Sequence, residues 1–357
     1  MSTATPGFDP GRVGALLYSG YAAPELTALA RRIESLGFGT IWYADERLYR
    51  DSYAGLALCA AATSRIRLGP AVSDPYSRHP ASTAASIATV DEIAGGRAVL
   101  GFGAGGAGFE YLGLGRPRPV RAVSAALRII RGLLRGETVT DSSSDARVVG
   151  CRLEFPVRPV DIYLAAEGPR MLELAGSVAD GVVIAHAPTA DAFGRAVATA
   201  MVGCEAAGRA TPPKMVSRLD VGIADDDASG RDALRPRVAR YLWARYPHLE
   251  HLERDVPLGA ALHASLQEAG PYRWTHDPQA FSAIARHVTD EVVDRIAVCG
   301  TARRVRQRLA DCLAAGADEL MLNVISGSAV ELADALERLA GRSAVGAAMA
   351  TGRTQPP

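Results

Sequence analysis

The chain has 357 residues, 48% of them apolar and 22% charged, with 39 Lys and Arg balanced by 39 Asp and Glu. That length suits one α/β barrel with insertions, and zero formal net charge excludes the basic footprint of a nucleic-acid or acidic-membrane binder. No run of ~20 apolar residues is available to span a bilayer. Residues 1–10 lack the basic and apolar segments of a secretion signal, so a cytoplasmic protein is expected. The five cysteines are scattered, with no CxxC pair or His/Cys grouping, which argues for neither a disulfide framework nor a bound metal.

Short β-branched runs alternate with longer amphipathic ones, the pattern of parallel strands joined by helices. Residues 12–18 (RVGALLY) read as a first strand; Pro24 opens a helix to residue 35, with Leu26, Leu29, Ala30 and Ile33 at helical spacing and Gly37 ending it. Residues 40–43 (TIWY) form a second strand before an Ala-rich helix at 54–63, and 66–72 form a third. Pro80 starts the next helix and Gly95-Gly96 stop it. A fourth strand at 97–102 leads through a glycine-rich loop to a helix at 120–135. Residues 138–159 look irregular, 161–165 are a fifth strand with its helix at 170–178, and 181–185 a sixth with its helix at 192–207. A seventh strand spans 214–223. Residues 225–290 read as a helical insertion, a lid or dimer contact, followed by a helix at 302–315, an eighth strand at 319–324 and a closing helix at 329–339. Eight strands with intervening helices predict a single (β/α)₈ TIM barrel over 1–340 with insertions, and a frayed Ala/Gly/Ser/Thr/Pro tail at 341–357. An open doubly wound sheet is the rival, disfavoured because no GxGxxG follows the first strand.

In such a barrel chemistry gathers where strands end in βα loops. The second strand ends in WYADER: Asp45 and Glu46 leave a buried strand together, which is costly without partners or a ligand, and either can move a proton. The alternative is an ion pair with Arg47, Arg50 or Arg78, or a simple helix N-cap. The third runs LGPAVS into DPYSRHP, with small residues that let backbone approach a flat ring; His79 before Pro80 reads as a structural or capping histidine. The fourth opens into GFGAGGAGFE, whose amides can cradle phosphate. After the fifth, Gly168 and Pro169 start a helix, a ready anion site. Tyr18, Tyr49, Tyr76 and the aromatic stretch 241–274 are expected to wall a substrate pocket. No GxSxG elbow, P-loop lysine or spaced metal set is present.

The strings WYADE, RIRLGPAVSDPYSRHP, DEIAGGRAVLGFGAG and IYLAAEGPRMLELAGSVADG, with VVDRIAVCGTARRVRQRLADCLAAGADELMLNVI near the end, resemble the bacterial luciferase-like superfamily. The likeness is nearest to the methylenetetrahydromethanopterin reductase type, which uses the deazaflavin F420, and it covers nearly the whole chain. It implies a homodimeric barrel enzyme with a tricyclic ring across the mouth. Asp45 and Glu46 would lie at the ring's reactive edge, and Ala71-Val72 would match the family's non-prolyl cis peptide. Gly103, Ala104, Gly105, Glu110, Glu167, Gly168 and Pro169 would take the cofactor's side chain and phosphate. Two departures point away from a pterin substrate: the first strand ends in Ala15-Leu16-Leu17-Tyr18 with no carboxylate, and Asp45-Glu46 stands where relatives carry Asp-His. The expected activity is hydride transfer between F420 and another small organic compound; the alternatives are an FMN-dependent monooxygenase and a catalytically inactive ligand-binding barrel.

Overall fold

The computed structural model describes residues 8–341, apart from residues 47, 107, 143–145, 188, 274 and 276–277. The expected tail therefore lies outside the described residues except for Gly341, as do Arg47, Ala107 and Trp274. The strands are β1 Val13–Leu17, β2 Thr40–Tyr43, β3 Arg67–Pro70, β4 Val99–Phe102, β5 Val139–Asp141, β6 Val148–Cys151, β7 Asp161–Ala166, β8 Gly181–Ala185, β9 Lys214–Ala224, β10 Val298–Thr301 and β11 Glu319–Val324. Parallel pairing in the order β3-β2-β1-β11-β9-β8-β7-β4 curls the main sheet, and bridges from Leu68 to Ala98 and from Ser73 to Phe102 bring its two ends together. The result is the eight-stranded α/β barrel expected from the alternation.

Each strand alternates an inward and an outward side chain. Leu16, Trp42, Val99, Tyr163, Val183, Val216 and Met321 meet inside, with Tyr18, Ala71 and Ala165 half-buried against them. Trp42 fills the lower interior: a Cβ at Gly14 would come within 2.6 Å of its indole and one at Gly69 within 2.9 Å, so glycine is what admits so large a ring. The N-terminal rim is sealed by charge. Arg67 donates to Tyr163 Oη and to Glu319 Oε1, both at 3.1 Å, and Lys214 Nζ lies 3.1 Å from the same carboxylate. At the other end the strands run into the βα loops, where an α/β barrel places its site.

Outside, helices bury one apolar stripe against the strands. In Ala23–Ser35 the stripe is Leu26, Leu29, Ala30 and Ile33, as the spacing predicts. The helices Pro169–Val178 and Ala190–Ala206 approach so closely that a Cβ at Gly176 would lie 1.7 Å from the Ala200 carbonyl oxygen. No helix among the described residues is long and apolar enough to cross a membrane.

Two expectations need correction. The segment read as irregular, 138–159, contains the antiparallel pair β5 and β6. The strand β10 was not foreseen; among the described residues it pairs with the end of β9, Val221–Ala224. Helices continue through the excursion region as far as Asp290–Ile296. The excursion has a core of its own, in which Leu234, Leu242, Trp243, Leu262, Leu266 and Ile284 are buried together. Trp243 donates to the Gly270 carbonyl at 2.7 Å and packs edge-on against Tyr272. Those aromatics serve packing.

Candidate active site at the barrel mouth

Asp45 leaves β2 half-buried, and Ser73 Oγ donates to its Oδ2 at 2.5 Å. Ser73 has one proton to give, so with Asp45 ionised the 2.9 Å contact between Tyr53 Oη and Ser73 Oγ is donated by Tyr53. Both hydroxyl residues are buried. Arg78 reaches this chain only at long range, its Nε 4.0 Å from Asp45 Oδ2, because its Nη2 donates to Asp51 at 2.7 Å. Burial pushes the Asp45 carboxyl up, and the Ser73 hydrogen bond and the Arg78 charge only partly offset it. A carboxyl raised in the folded state binds its proton more tightly there than in the unfolded chain. The resulting stability is complete below the unfolded value and is lost as pH rises through the folded one. Asp45→Asn keeps an acceptor for Ser73 and removes the buried charge. Urea midpoints from pH ~4 to ~7 are therefore expected to fall less steeply for the variant, which is at least as stable as the parent at neutral pH; a steeper fall would contradict this reading of Asp45.

The peptide between Ala71 and Val72 is cis. Beyond it the chain is zipped to the next loop, with Ser73 N donating to the Gly101 carbonyl at 3.0 Å and Gly103 N to that of Ser73 at 2.9 Å. This sets Gly103 beside Val72 and Ala165: a Cβ there would meet their side chains at 3.2 and 3.3 Å. Small residues from three strand ends thus make one shelf.

Phosphate capacity is tested by the glycines around it. Gly105 and Gly108 hold φ of +72° and +90°, where other side chains are strained. Gly168 caps the ten-residue helix Pro169–Val178 without a side-chain hydrogen bond, and a Cβ on it would meet nothing within 4 Å. Open space before a helix start fits the anionic end of a cofactor. Arg116 Nη1 donates to the Gly105 carbonyl at 2.9 Å, tying down the loop that carries Ala104.

The other expected residues sit in the loops that follow the strands. Glu46 is half-buried beside Tyr49, whose phenol is pushed up by burial and by the Glu46 charge. Tyr49 is itself exposed. Tyr76 Oη donates to the Pro117 carbonyl at 3.0 Å, and its ring stands edge-on to Phe109, so it braces a loop. Glu110 is exposed in the short turn Phe109–Leu112. Glu167 turns to the excursion: Arg245 Nη2 donates to its Oε2 at 2.6 Å, and His186 Nδ1 lies 3.6 Å from its Oε1. Burial works against the Glu167 charge, yet His186 and Arg245 hold the carboxyl well below its usual range. His79 is a cap, its Nδ1 accepting from Ala81 N at 3.2 Å.

Sequence reasoning missed a knot of charge in the opposite wall. Asp220 of β9 is 2% exposed and accepts from Asn323 Nδ2 of β11 at 2.5 Å. Arg218 Nη2 lies 3.1 Å from it and Arg237 Nε, on the excursion helix Asp227–Arg245, 3.3 Å. Arg218 Nη1 stands 2.9 Å from His186 Nε2, which must accept because a guanidinium only donates. Burial opposes the charge on Asp220, and the arginines hold its carboxyl well below the usual range. The available signal was a polar residue inside each of two apolar runs, LDVGI at 219–223 and LMLNV at 320–324.

A parallel barrel with small residues gathered at its C-terminal end, beside a glycine-rich loop and the uncrowded start of the helix Pro169–Val178, has the architecture of an α/β-barrel enzyme. The chain belongs to the luciferase-like monooxygenase family, whose description matches residues 6–319. It is 33% identical over 297 residues to the 5,10-methylenetetrahydromethanopterin reductase of Methanolobus tindarius, covering 82% of this chain and 87% of the relative. It is likewise 33% identical over 308 residues to that of Archaeoglobus fulgidus, covering 86% and 90%. Among solved structures, the F420-dependent tetrahydromethanopterin reductase from Methanopyrus kandleri superposes with a TM-score of 0.77 at 24% identity, over 92% of this chain and 97% of that one. The chain is an oxidoreductase-family enzyme fold, as the resemblance implied.

Proposed function

We propose that this protein is an F420-dependent oxidoreductase that moves a hydride between the deazaflavin and a small organic substrate. The observation that carries the reading is the shelf formed by Ala71, Val72, Gly103 and Ala165, with the buried chain Tyr53–Ser73–Asp45 along its edge. A bound deazaflavin would supply the two-electron carrier. The protein's own part is to hold the phosphate end with the amides around Gly105 and Gly168, to lay a flat surface under the ring, and to keep a carboxyl ready to give or take a proton. Burial raises the Asp45 carboxyl and so favours its protonated form; Glu46, the next residue in the chain, is the second candidate carboxyl. The absence of a carboxylate at 15–18 and the Asp45-Glu46 pair favour a substrate other than a pterin.

The test is an equilibrium titration with F420 and with FMN, followed by absorbance and fluorescence. Saturable F420 binding is expected; binding of FMN alone would replace the proposal with the flavin monooxygenase. Against a panel of alcohols, aldehydes, ketones, imines and reduced pterins, Asp45→Asn or Glu46→Gln is expected to cut turnover by about 10²–10⁴-fold while F420 affinity stays within ~3-fold. Unchanged turnover in both variants would remove the carboxyls from the chemistry. A homodimer is part of the same proposal: Leu58 and Ile93, on the adjacent helices Ser52–Ala62 and Pro80–Ala94, are 40% and 46% exposed and suit a covered face.

A further inference from the structure

The proton chemistry above leaves one wall of the mouth unused. Arg237 Nη2 donates to Tyr18 Oη at 2.6 Å, and the guanidinium lies over the phenol ring, 5.7 Å from its centroid. Because a guanidinium has no acceptor, the phenol oxygen accepts this bond, and the phenol's own proton must point away from Arg237. Among the described residues nothing accepts that proton. The Tyr18 side chain packs against the same barrel-interior cluster as Ala71 and Ala165, two residues of the shelf. Behind it, the guanidiniums of Arg218 and Arg237 share the single carboxylate of Asp220. Taken together those three groups carry one positive charge in excess, around a carboxylate that is itself buried.

We propose that Tyr18 and Arg237 form a donor pair that tunes the bound ring, the phenol donating a hydrogen bond to a ring oxygen or nitrogen while the guanidinium behind it favours negative charge there. This rests on the proposed function. A bound oxidised F420 would accept the hydride, the hydrogen and two electrons of a broken substrate C–H bond, and the proton released from the substrate's oxygen or nitrogen would go to Asp45 or Glu46. The Tyr18 hydroxyl would donate to a ring atom that gains negative charge. Tyr18 keeps its proton throughout and shares it through the hydrogen bond. It is a positioning and tuning residue, which takes the place at the end of β1 where a carboxylate would repel the reduced ring.

The test compares dissociation constants for oxidised and chemically reduced F420 in the parent, in Tyr18→Phe and in Arg237→Lys, with circular dichroism as the check on folding. Tyr18→Phe removes one hydroxyl, and both cofactor forms are expected still to bind. Preference for the reduced form is expected to fall about 10-fold, equivalent to a lowering of the bound midpoint potential by about 30 mV for a two-electron couple. Arg237→Lys, shorter but still positive, is expected to lower the preference in the same direction. A preference unchanged within ~2-fold in Tyr18→Phe, with both forms bound, overturns the donor pair and leaves the proposed function standing. If the parent binds FMN and not F420, the F420 assignment falls and the same ratio measured with FMN decides the pair. If neither cofactor binds, both proposals fall.

Discussion

Asp220→Asn is expected to cost about 3–5 kcal/mol of folding free energy, read as a shift of the urea midpoint. Asp220 is buried, and its carboxylate is the shared partner of Arg218, Arg237 and Asn323. Losing the charge leaves the Arg218 and Arg237 guanidiniums, 12% and 22% exposed, without their shared carboxylate, and uncompensated charge beside a buried site is among the largest single-residue penalties. The contrast is Asp225→Asn, which removes the partner of Arg338 at 3.0 Å from a carboxylate that is 96% exposed. That change is expected to stay within ~0.5 kcal/mol. The pH dependence has a definite sign. The folded Asp220 carboxyl is held below its unfolded value, so its contribution is present above the unfolded value near pH ~3.9 and is lost as pH falls further. The parent is therefore expected to lose stability on acidification more steeply than the variant. Equal stability of the two proteins at neutral pH would show that Asp220 is not holding the arginines in place.

Ala165→Trp is expected to weaken F420 binding by more than about 100-fold, or ~2.7 kcal/mol, without unfolding the barrel. Ala165, the last but one residue of β7, is half-buried at the top of the interior, in contact range of Gly103 across the shelf. The side chain has nowhere to go but into the mouth. It would lie in the space the ring needs, above a core already filled by Trp42 and Tyr163, whose rings stand 5.8 Å apart. Isothermal calorimetry with the variant, alongside its thermal melt, separates a blocked site from a damaged fold. Undiminished affinity in a folded Ala165→Trp protein would place the cofactor elsewhere.

The barrel was legible because its core strands are short apolar runs bounded by turn residues and followed by amphipathic helices. TIWY and GVVIA match β2 and β8 residue for residue. β10 escaped because Val298–Thr301 is four residues long, contains Gly300 and runs directly into the helix Ala302–Ala314, so no periodicity develops. β5 and β6 escaped because they are short and largely solvated, with Val149 84% exposed. One side of the site was legible too. Asp45, Ala71-Val72 and Gly103 sit at the ends of consecutive strands, which a parallel barrel must bring side by side. The other side was not, because Arg237 comes from an excursion helix and meets Tyr18, 219 positions earlier, only through the fold. Glu167 was legible in place but not in partner: its carboxylate is taken by Arg245 of that same helix. Charge pairing across such distances leaves no spacing in the chain to read.

The most direct measurement is a crystal structure of the protein soaked with F420. The expected result is a tricyclic ring lying on the cis Ala71-Val72 peptide, with Ala165 and Tyr18 within contact distance and the phosphate at the amides near Gly105 and Gly168. A ring bound away from the barrel mouth, or a mouth that stays filled by protein side chains at saturating cofactor, would contradict it.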